Sequence, residues 1–425
     1  MEIDNYIPRI VDKKIDHYLK LFGAVVIDGP KYSGKTWAGR KHANSFVLLK
    51  RMTGDDSKEA ALARISPSSI LSGKKPRLIG EWQEATSIWD EIRSDIDESG
   101  KKGLYILTGS STPNREGISH SGAGRFGKIF LRTMSLYESG DSSGEVSLKD
   151  IFDNKDISSE YKPIQIEHLA GLLIRGGWPA NIKLSPKGSS ESIKQYIKLI
   201  INDDLQRLDG KTKNKHKVKL LLKSLARNES TTASLNTLIK DIKEVDKEDL
   251  NIETVISYVN GFDKLYLLDN DEPFSTNVRS SIRVKQNEKR HFVDPSIAAA
   301  LLNLTVDKLL YDLKTFGFLF EAMVERDLKI YAEANDAKLY HYQDYKGNEI
   351  DSVIELDDGR WFAFEIKLGA NAIEEAANNL LKISKDIEED TGKKPAGLCV
   401  ICGLAKAAYK RPDGVYVIPI TALKD

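Results

Sequence analysis

At 425 residues the chain is too long for one ordinary core and predicts two or three domains. Apolar residues at 40% and charged residues at 30% give the balance of a soluble globular protein, and no apolar run reaches the roughly 20 residues that cross a bilayer. Lys plus Arg and Asp plus Glu each number 63, so the chain is not a polycation and any nucleic-acid surface must be local.

Met1 to Lys14 is polar and lacks the apolar stretch of a signal peptide. No disulfide framework is available from Cys399 and Cys402 alone. The expectation is a cytoplasmic protein with no membrane partner. Short apolar runs then alternate with helical stretches: Gly23 to Asp28, Ser45 to Leu49, Arg77 to Ile79, Leu104 to Thr108 and Ile129 to Leu131, with a helix over Ser87 to Ser99. That alternation predicts a parallel α/β sheet over residues 1–145.

A flexible break at Ser139 to Gly144 precedes a mostly helical stretch, 146–210, read as a helical lid. Ser190 is the expected cap of a helix from Glu191 to Leu208. Residues 211–307 begin with Lys211, Lys213, Lys215, Lys217 and Lys219. Helices follow at Ala233 to Ile242 and Ile252 to Phe262, then short strands at Leu265 to Leu268 and Ser280 to Lys285. Helices followed by a small hairpin is the layout of a winged helix. Residues 308–425 carry a helix over Phe316 to Glu333 and strands at Lys338 to Gln343, Glu349 to Leu356 and Trp361 to Leu368. A second helix covers Asn371 to Ile387, and two strands, Ala396 to Ile401 and Val415 to Ile418, close the domain. Cys399 and Cys402 fall in the first of these and read as core residues, since no second Cys or His pair accompanies them.

Two constellations carry chemistry. Gly29, Pro30, Lys31, Tyr32, Ser33, Gly34, Lys35 and Thr36 fit G-x-x-x-x-G-K-[ST] at every fixed position, between an apolar strand and a helix. The glycines let backbone N–H groups face phosphate oxygens, Lys35 reaches the β- and γ-phosphates, and Thr36 ligates Mg²⁺. No guanine-reading element stands out, so ATP is the expected nucleotide. A Walker B carboxylate should end a later strand. At Arg77 to Gln83, Gly80 stands where Asp would hold the metal's water shell, and Glu81 follows in the place of the residue that polarises water. Either Glu81 serves both roles, or Mg²⁺ is held weakly, or hydrolysis is slow. Thr108, Ser110 and Ser111 are candidate γ-phosphate sensors. Arg125 and Arg132 are candidate arginine fingers, which acting from a neighbouring subunit would require a homo-oligomer.

The second constellation is Asp351 with Glu365-x-Lys367, spaced D-x13-E-x-K on two strands joined by the Asp357-Asp358-Gly359 turn. On a strand Glu365 and Lys367 share a face. With Asp351 opposite and Glu321 on the preceding helix, the carboxylates could hold Mg²⁺ and activate water for phosphodiester cleavage.

Taken together these residues resemble the predicted prokaryotic ATPases that join an AAA-type domain to a C-terminal uncharacterised domain of PD-(D/E)xK nuclease-like fold. The resemblance rests on Gly29 to Thr36, Leu78 to Gln83, Leu107 to Ser111, Ser121 to Arg125, Arg175 to Pro179, Val293 to Ser296, and Asp351 with Glu365 and Lys367. It implies an α/β chain with an AAA-type core and helical lid, a central winged-helix-like segment, and a restriction-endonuclease-like end. The family usually carries Asp at the place of Gly80, so catalytic turnover is what this departure touches. Three functions follow as expectations: an ATPase coupled to a DNA-associated nuclease-like end, an ATP-binding regulatory module with an inert nuclease-like fold, or a protein-remodelling ATPase that uses that fold for docking.

Overall fold

The computed structural model describes residues 6–49, 58–112, 121–160, 163–208, 213–244, 251–277 and 279–425. Contacts gather these into two compact units. The first comprises residues 1–133, 203–212 and 260–267; the second comprises 134–202, 213–259 and 268–425. Residues 146–202, expected as a lid of the first unit, thus have their contacts within the second.

The first unit runs α1 (Asp12–Leu21), β1 (Ala24–Asp28), α2 (Lys35–Lys41), β2 (Ser45–Leu48), α3 (Lys58–Ile65), α4 (Pro67–Leu71), β3 (Arg77–Gly80), α5 (Ser87–Ser99), β4 (Tyr105–Gly109) and β5 (Phe126–Phe130). The five strands form one sheet in the order β2-β3-β4-β1-β5, every pair parallel. Ala24 to Ile27 and Tyr105 to Thr108 are buried on both faces. That is why they read as continuous apolar runs and not as alternating ones. In open sheets of this kind ligands bind beyond the carboxyl ends of the strands. The phosphate loop leaves β1 at that edge.

The second unit adds β6 (Val146–Ser147), α6 (Leu148–Phe152), β7 (Ser158–Glu160), α7 (Ile166–Arg175) and α8 (Pro186–Leu199). Beyond α8 a short α9 (Leu205–Arg207) belongs to the first unit. Then come α10 (Lys215–Arg227), α11 (Leu235–Lys243), α12 (Ile252–Lys264), α13 (Ile282–Lys285), α14 (Pro295–Leu301), α15 (Val306–Tyr311) and α16 (Leu313–Ala334). The remainder is β8 (Ala337–Gln343), β9 (Glu349–Leu356), β10 (Trp361–Lys367), α17 (Ile373–Thr391), β11 (Gly397–Cys402), β12 (Ala407–Lys410), β13 (Tyr416–Pro419) and β14 (Leu423–Lys424). A seven-stranded mixed sheet has the order β7-β12-β13-β11-β10-β9-β8, with β10, β11 and β13 mutually parallel in sequence and the outer pairs antiparallel. Cys399 and Cys402 are free and buried in its core.

Several local expectations change. The α8 helix starts at Pro186 and not after Ser190, because the Ser185 hydroxyl accepts the Gly188 N–H at 3.3 Å and proline sits well at the first helical position. Ser280 to Lys285 was expected as a strand, but Ile282–Lys285 is a helical turn. Residues 268 and 271 pair instead with 292 and 289 through antiparallel bridges. Ser158–Glu160 lies in the stretch read as helix and is an edge strand against β12. Lys213 is buried, whereas Lys215, Lys219 and Lys223 are exposed four residues apart on one face of α10. Lys211 lies outside the described residues.

Candidate functional site

The loop after β1 is built by backbone that ordinary residues avoid. Gly29 has φ +148°, Tyr32 +66° and Gly34 +98°. A Cβ on Gly29 would run into the Leu131 carbonyl of the neighbouring strand's exit, so only glycine fits there. Gly34 is the N-cap of α2, which places Lys35 and Thr36 in its first turn. The N–H groups at a helix start have no intrahelical acceptor, which suits the turn to phosphate.

Lys35 is 5% exposed, and its ammonium donates to the Pro30 carbonyl at 2.6 Å. Burial lowers its pKa to about 8, against the pull of the Glu81 and Asp28 carboxylates. Asp28 ends β1 and was not singled out from the sequence. Burial raises its pKa, opposed by Lys128, a hydrogen bond with Tyr266, and Lys35. Loop neighbours are held as well. Lys31 pairs with Asp204 at 2.6 Å, and the Arg9 guanidinium donates to the Ser33 carbonyl at 2.8 Å.

Glu81 follows β3 at φ +57°, a left-handed position costing a non-glycine residue about 1–3 kcal/mol. Its carboxylate accepts from the Ser110 hydroxyl at 3.0 Å and the Gln83 amide at 2.7 Å. The ends of β3 and β4 therefore meet at Glu81, Gln83 and Ser110. Thr108 is buried beside them, its hydroxyl without a hydrogen-bond partner among the described residues. At Gly80 a Cβ would collide with Leu48 Cδ2 and sit 3.4 Å from the Thr108 hydroxyl. The space next to the Gly80 Cα is thus taken by the Leu48 side chain.

Arg125 is not brought to this edge. It precedes β5, and its carbonyl accepts the Ala24 N–H at the opposite end of the sheet. Its guanidinium pairs with Asp97 at 2.8 Å on the surface. Arg132 follows β5 at the loop edge, stacked over Phe130 at 5.0 Å.

The family model of an AAA domain (AAA_14) matches residues 22–139. This segment has an AAA-type P-loop fold. Two further models match beyond the AAA-type segment, each described as a domain of unknown function: DUF8612 over residues 166–308 and DUF4143 over residues 316–423. No curated protein matches the chain. Similar solved structures include a Walker-type ATPase of Pyrococcus abyssi, 10% identical, with TM-score 0.44, covering 70% of this chain and 97% of that one. AMPPCP-bound DnaA from Aquifex aeolicus is 16% identical, with TM-score 0.27, covering 61% and 90%. The Thermotoga maritima RuvB Holliday junction branch migration motor is 15% identical, with TM-score 0.25, covering 61% and 88%. Scores this low carry no assignment, which rests on the family model and the loop.

In the second unit, β9 and β10 pair through the expected turn, with Trp361 opposite Glu355 and Phe364 opposite Ser352. Asp351, Glu365 and Lys367 come together. The Lys367 ammonium lies 2.5 Å from Glu365 and 3.2 Å from Asp351, the Ile366 N–H donates to Asp351 at 2.7 Å, and the Asn379 amide of α17 donates to Glu365 at 3.1 Å. Burial and the neighbouring Asp351 push Glu365 up to about 7, with Lys367 opposing. Asp351 moves the other way: against its burial, Lys367 and Lys289 hold it below the usual carboxylate range.

Glu321, on the preceding helix, lies within electrostatic reach of Asp351. It is paired with the buried Lys289, which also contacts Glu325 at 2.8 Å and the Asp351 carbonyl at 3.0 Å. Burial raises Glu321 to about 8 despite that lysine, with Asp351 and Glu325 adding to the push. Lys289 and Asn379 were invisible as site residues in the sequence, since neither lies in a motif.

Proposed function

We propose that the chain is an ATP-binding AAA-type protein that hydrolyses ATP slowly, coupled to a C-terminal nuclease-like unit that associates with DNA. The carrying observation is the buried Lys35 in its glycine-turned loop, faced by Glu81 that Ser110 and Gln83 hold in a left-handed turn. The loop fits a triphosphate: Lys35 and backbone N–H groups would bind the β- and γ-phosphates. Thr36 and Glu81 are the oxygen donors that would bear on Mg²⁺, which would screen phosphate charge there. Glu81 is the base-like group left to orient water, and without a carboxylate at Gly80 the metal's water shell loses one anchor. Slow turnover follows.

At the other end, Asp351 and Glu365 are the donors that suit Mg²⁺, with Lys367 beside them to stabilise developing phosphate charge. Glu321 is a further candidate donor, paired with Lys289 as Asp351 and Glu365 are with Lys367. DNA contacts are assigned to the exposed Lys215, Lys219 and Lys223 on α10 within a winged-helix-like segment. An oligomer is invoked only if Arg125 acts on a neighbouring subunit.

A second reading, an ATP-binding regulatory module with an inert nuclease-like fold, is favoured by Leu48 over Gly80 and by Lys289 on Glu321. Two measurements separate the readings. The first is ATP turnover of wild type against Lys35→Ala. The second is cleavage of linear and supercoiled DNA with Mg²⁺, wild type against Asp351→Ala. The leading reading requires both differences. Micromolar ATP binding without turnover above Lys35→Ala, together with intact DNA, selects the second.

A further inference from the structure

A second ionisable cluster lies deeper in the same unit. Asp271 and His291 sit on two segments joined by the antiparallel bridges Leu268↔Phe292 and Asp271↔Lys289, and Glu325 lies on α16 one turn beyond Glu321. Their side chains are 1%, 3% and 1% exposed.

Each of the three has one end engaged and one end turned inward. His291 Nδ1 lies 3.2 Å from Glu229 Oε1. Asp271 Oδ1 lies 2.6 Å from the Lys329 ammonium. Glu325 Oε1 accepts from Lys289 at 2.8 Å and from the Ser352 hydroxyl at 3.0 Å. The other ends converge. His291 Nε2 is 3.3 Å from Asp271 Oδ2 and 2.9 Å from Glu325 Oε2. The trio can present one ligand atom each with all three within 4.8 Å of one another.

None of these three inward atoms makes a hydrogen bond of acceptable direction among the described residues. Buried polar atoms in that state favour a ligand that satisfies them.

We propose that Asp271, His291 and Glu325 bind a divalent transition-metal ion of the zinc class, with Glu229, Lys329 and Lys289 holding the three ligands in orientation. Ligand atoms on a tetrahedral ion with bonds of about 2.0–2.1 Å lie roughly 3.3 Å apart, close to the separations at Nε2. One imidazole and two carboxylates suit zinc, cobalt or manganese better than calcium or magnesium, which take oxygen ligands alone. Glu229 on Nδ1 fixes the tautomer that leaves the Nε2 lone pair inward, the usual outer partner of a metal-bound histidine. Because the trio is buried, the ion enters as the chain folds. This site is separate from the Asp351, Glu365 and Lys367 group, and its role is to tie the bridged 268–292 segments to α16.

The test uses the full-length chain without nucleotide, refolded with Co²⁺ or Zn²⁺ and dialysed. Wild type and Lys35→Ala should each retain one equivalent by elemental analysis, and the Co²⁺ form should show visible d–d absorption with an imidazole ligand. Glu229→Gln, which keeps all three ligands, should weaken affinity about 10–100-fold. His291→Ala should lose the ion; if it does not fold, the wild-type and Glu229→Gln measurements decide alone. Wild type that folds, retains no ion and carries protons on both His291 ring nitrogens by NMR overturns the site in favour of an imidazolium shared among carboxylates. Loss of the ion in Glu365→Gln, with His291→Ala retaining it, overturns it by placing the ion in the neighbouring group.

Discussion

Leu48 Cδ2 occupies the space that a Cβ at Gly80 would take. The two residues are paired in register on β2 and β3, so the contact is set by the parallel ladder and not by a loop. Restoring an aspartate at residue 80 is therefore a packing problem before it is a catalytic one. Gly80→Asp alone should cost about 1–3 kcal/mol through overpacking. Adding Leu48→Ala should return most of that, and only the double variant should raise ATP turnover above wild type. Urea unfolding and phosphate release check the two halves. Equal stability and turnover in the single and double variants would remove Leu48 from the account.

Lys35 predicts a pH dependence with a defined sign. Burial lowers its pKa to about 8 from the usual 10.5. The unfolded chain takes up this proton first as pH falls, so the associated stability is present above pH 10.5 and is lost as pH falls towards about 8. Triphosphate next to the ammonium favours the charged form, so binding should draw in a proton between about pH 8 and 9. ATP affinity should fall as pH rises through about 8, by up to about tenfold per unit. Titration calorimetry in two buffers of different ionisation enthalpy measures the uptake. Lys35→Arg, charged throughout, should flatten the profile.

Arg125 separates a surface contact from a finger. Its pair with Asp97 is exposed, where solvent screens such pairs and leaves them little net effect. Arg125→Ala should therefore leave the unfolding midpoint nearly unchanged. If a neighbouring subunit uses this side chain, turnover should drop by about 10³-fold or more at concentrations where the protein assembles, and not in the dilute monomer. Unchanged turnover at every concentration removes Arg125 from the catalytic set.

The parallel sheet, its phosphate loop and the β9–β10 pairing were legible because they are local patterns: apolar runs, a glycine-lysine spacing, a turn between two strands. Three things were not. The edge strand β7 and its neighbour β12 are short and incompletely buried, so they carry no periodic signal. The helix starts at Pro186 with Ser185 as its cap and not Ser190, a choice among the serines of this stretch that composition does not decide. Lys289, Asp271 and His291 acquire meaning only when α16 packs beside their bridged segments. Their spacing along the chain matches no motif, and a buried lysine between two glutamates reads in the sequence as surface charge.

The motifs at Arg175 to Pro179 and Val293 to Ser296 meet at one carboxylate, which makes them structural. Asp294 is fully buried and accepts the Gly177 N–H at 2.9 Å, the Arg326 guanidinium at 3.2 Å and the Ser296 N–H at 3.0 Å, the last capping α14. Trp178 joins them by donating to the Ser296 hydroxyl at 3.0 Å. Gly176 makes the approach possible: at φ +68° a Cβ there would press on Asp294 and Ser296. Removing the carboxylate leaves the Arg326 guanidinium to Asp327 alone, at 2.7 Å, and takes the acceptor from the Gly177 N–H. Asp294→Ala should cost about 1–3 kcal/mol, the range for leaving a buried donor without its acceptor. Asp294→Asn keeps an acceptor for the N–H groups and should cost less. Denaturant unfolding gives the totals, and amide exchange at Gly177 gives the local readout. Loss of protection there in Asp294→Ala, partly kept in Asp294→Asn, would assign the cost to this carboxylate. Protection unchanged in both would mean that the Gly177 N–H is held by packing and not by Asp294.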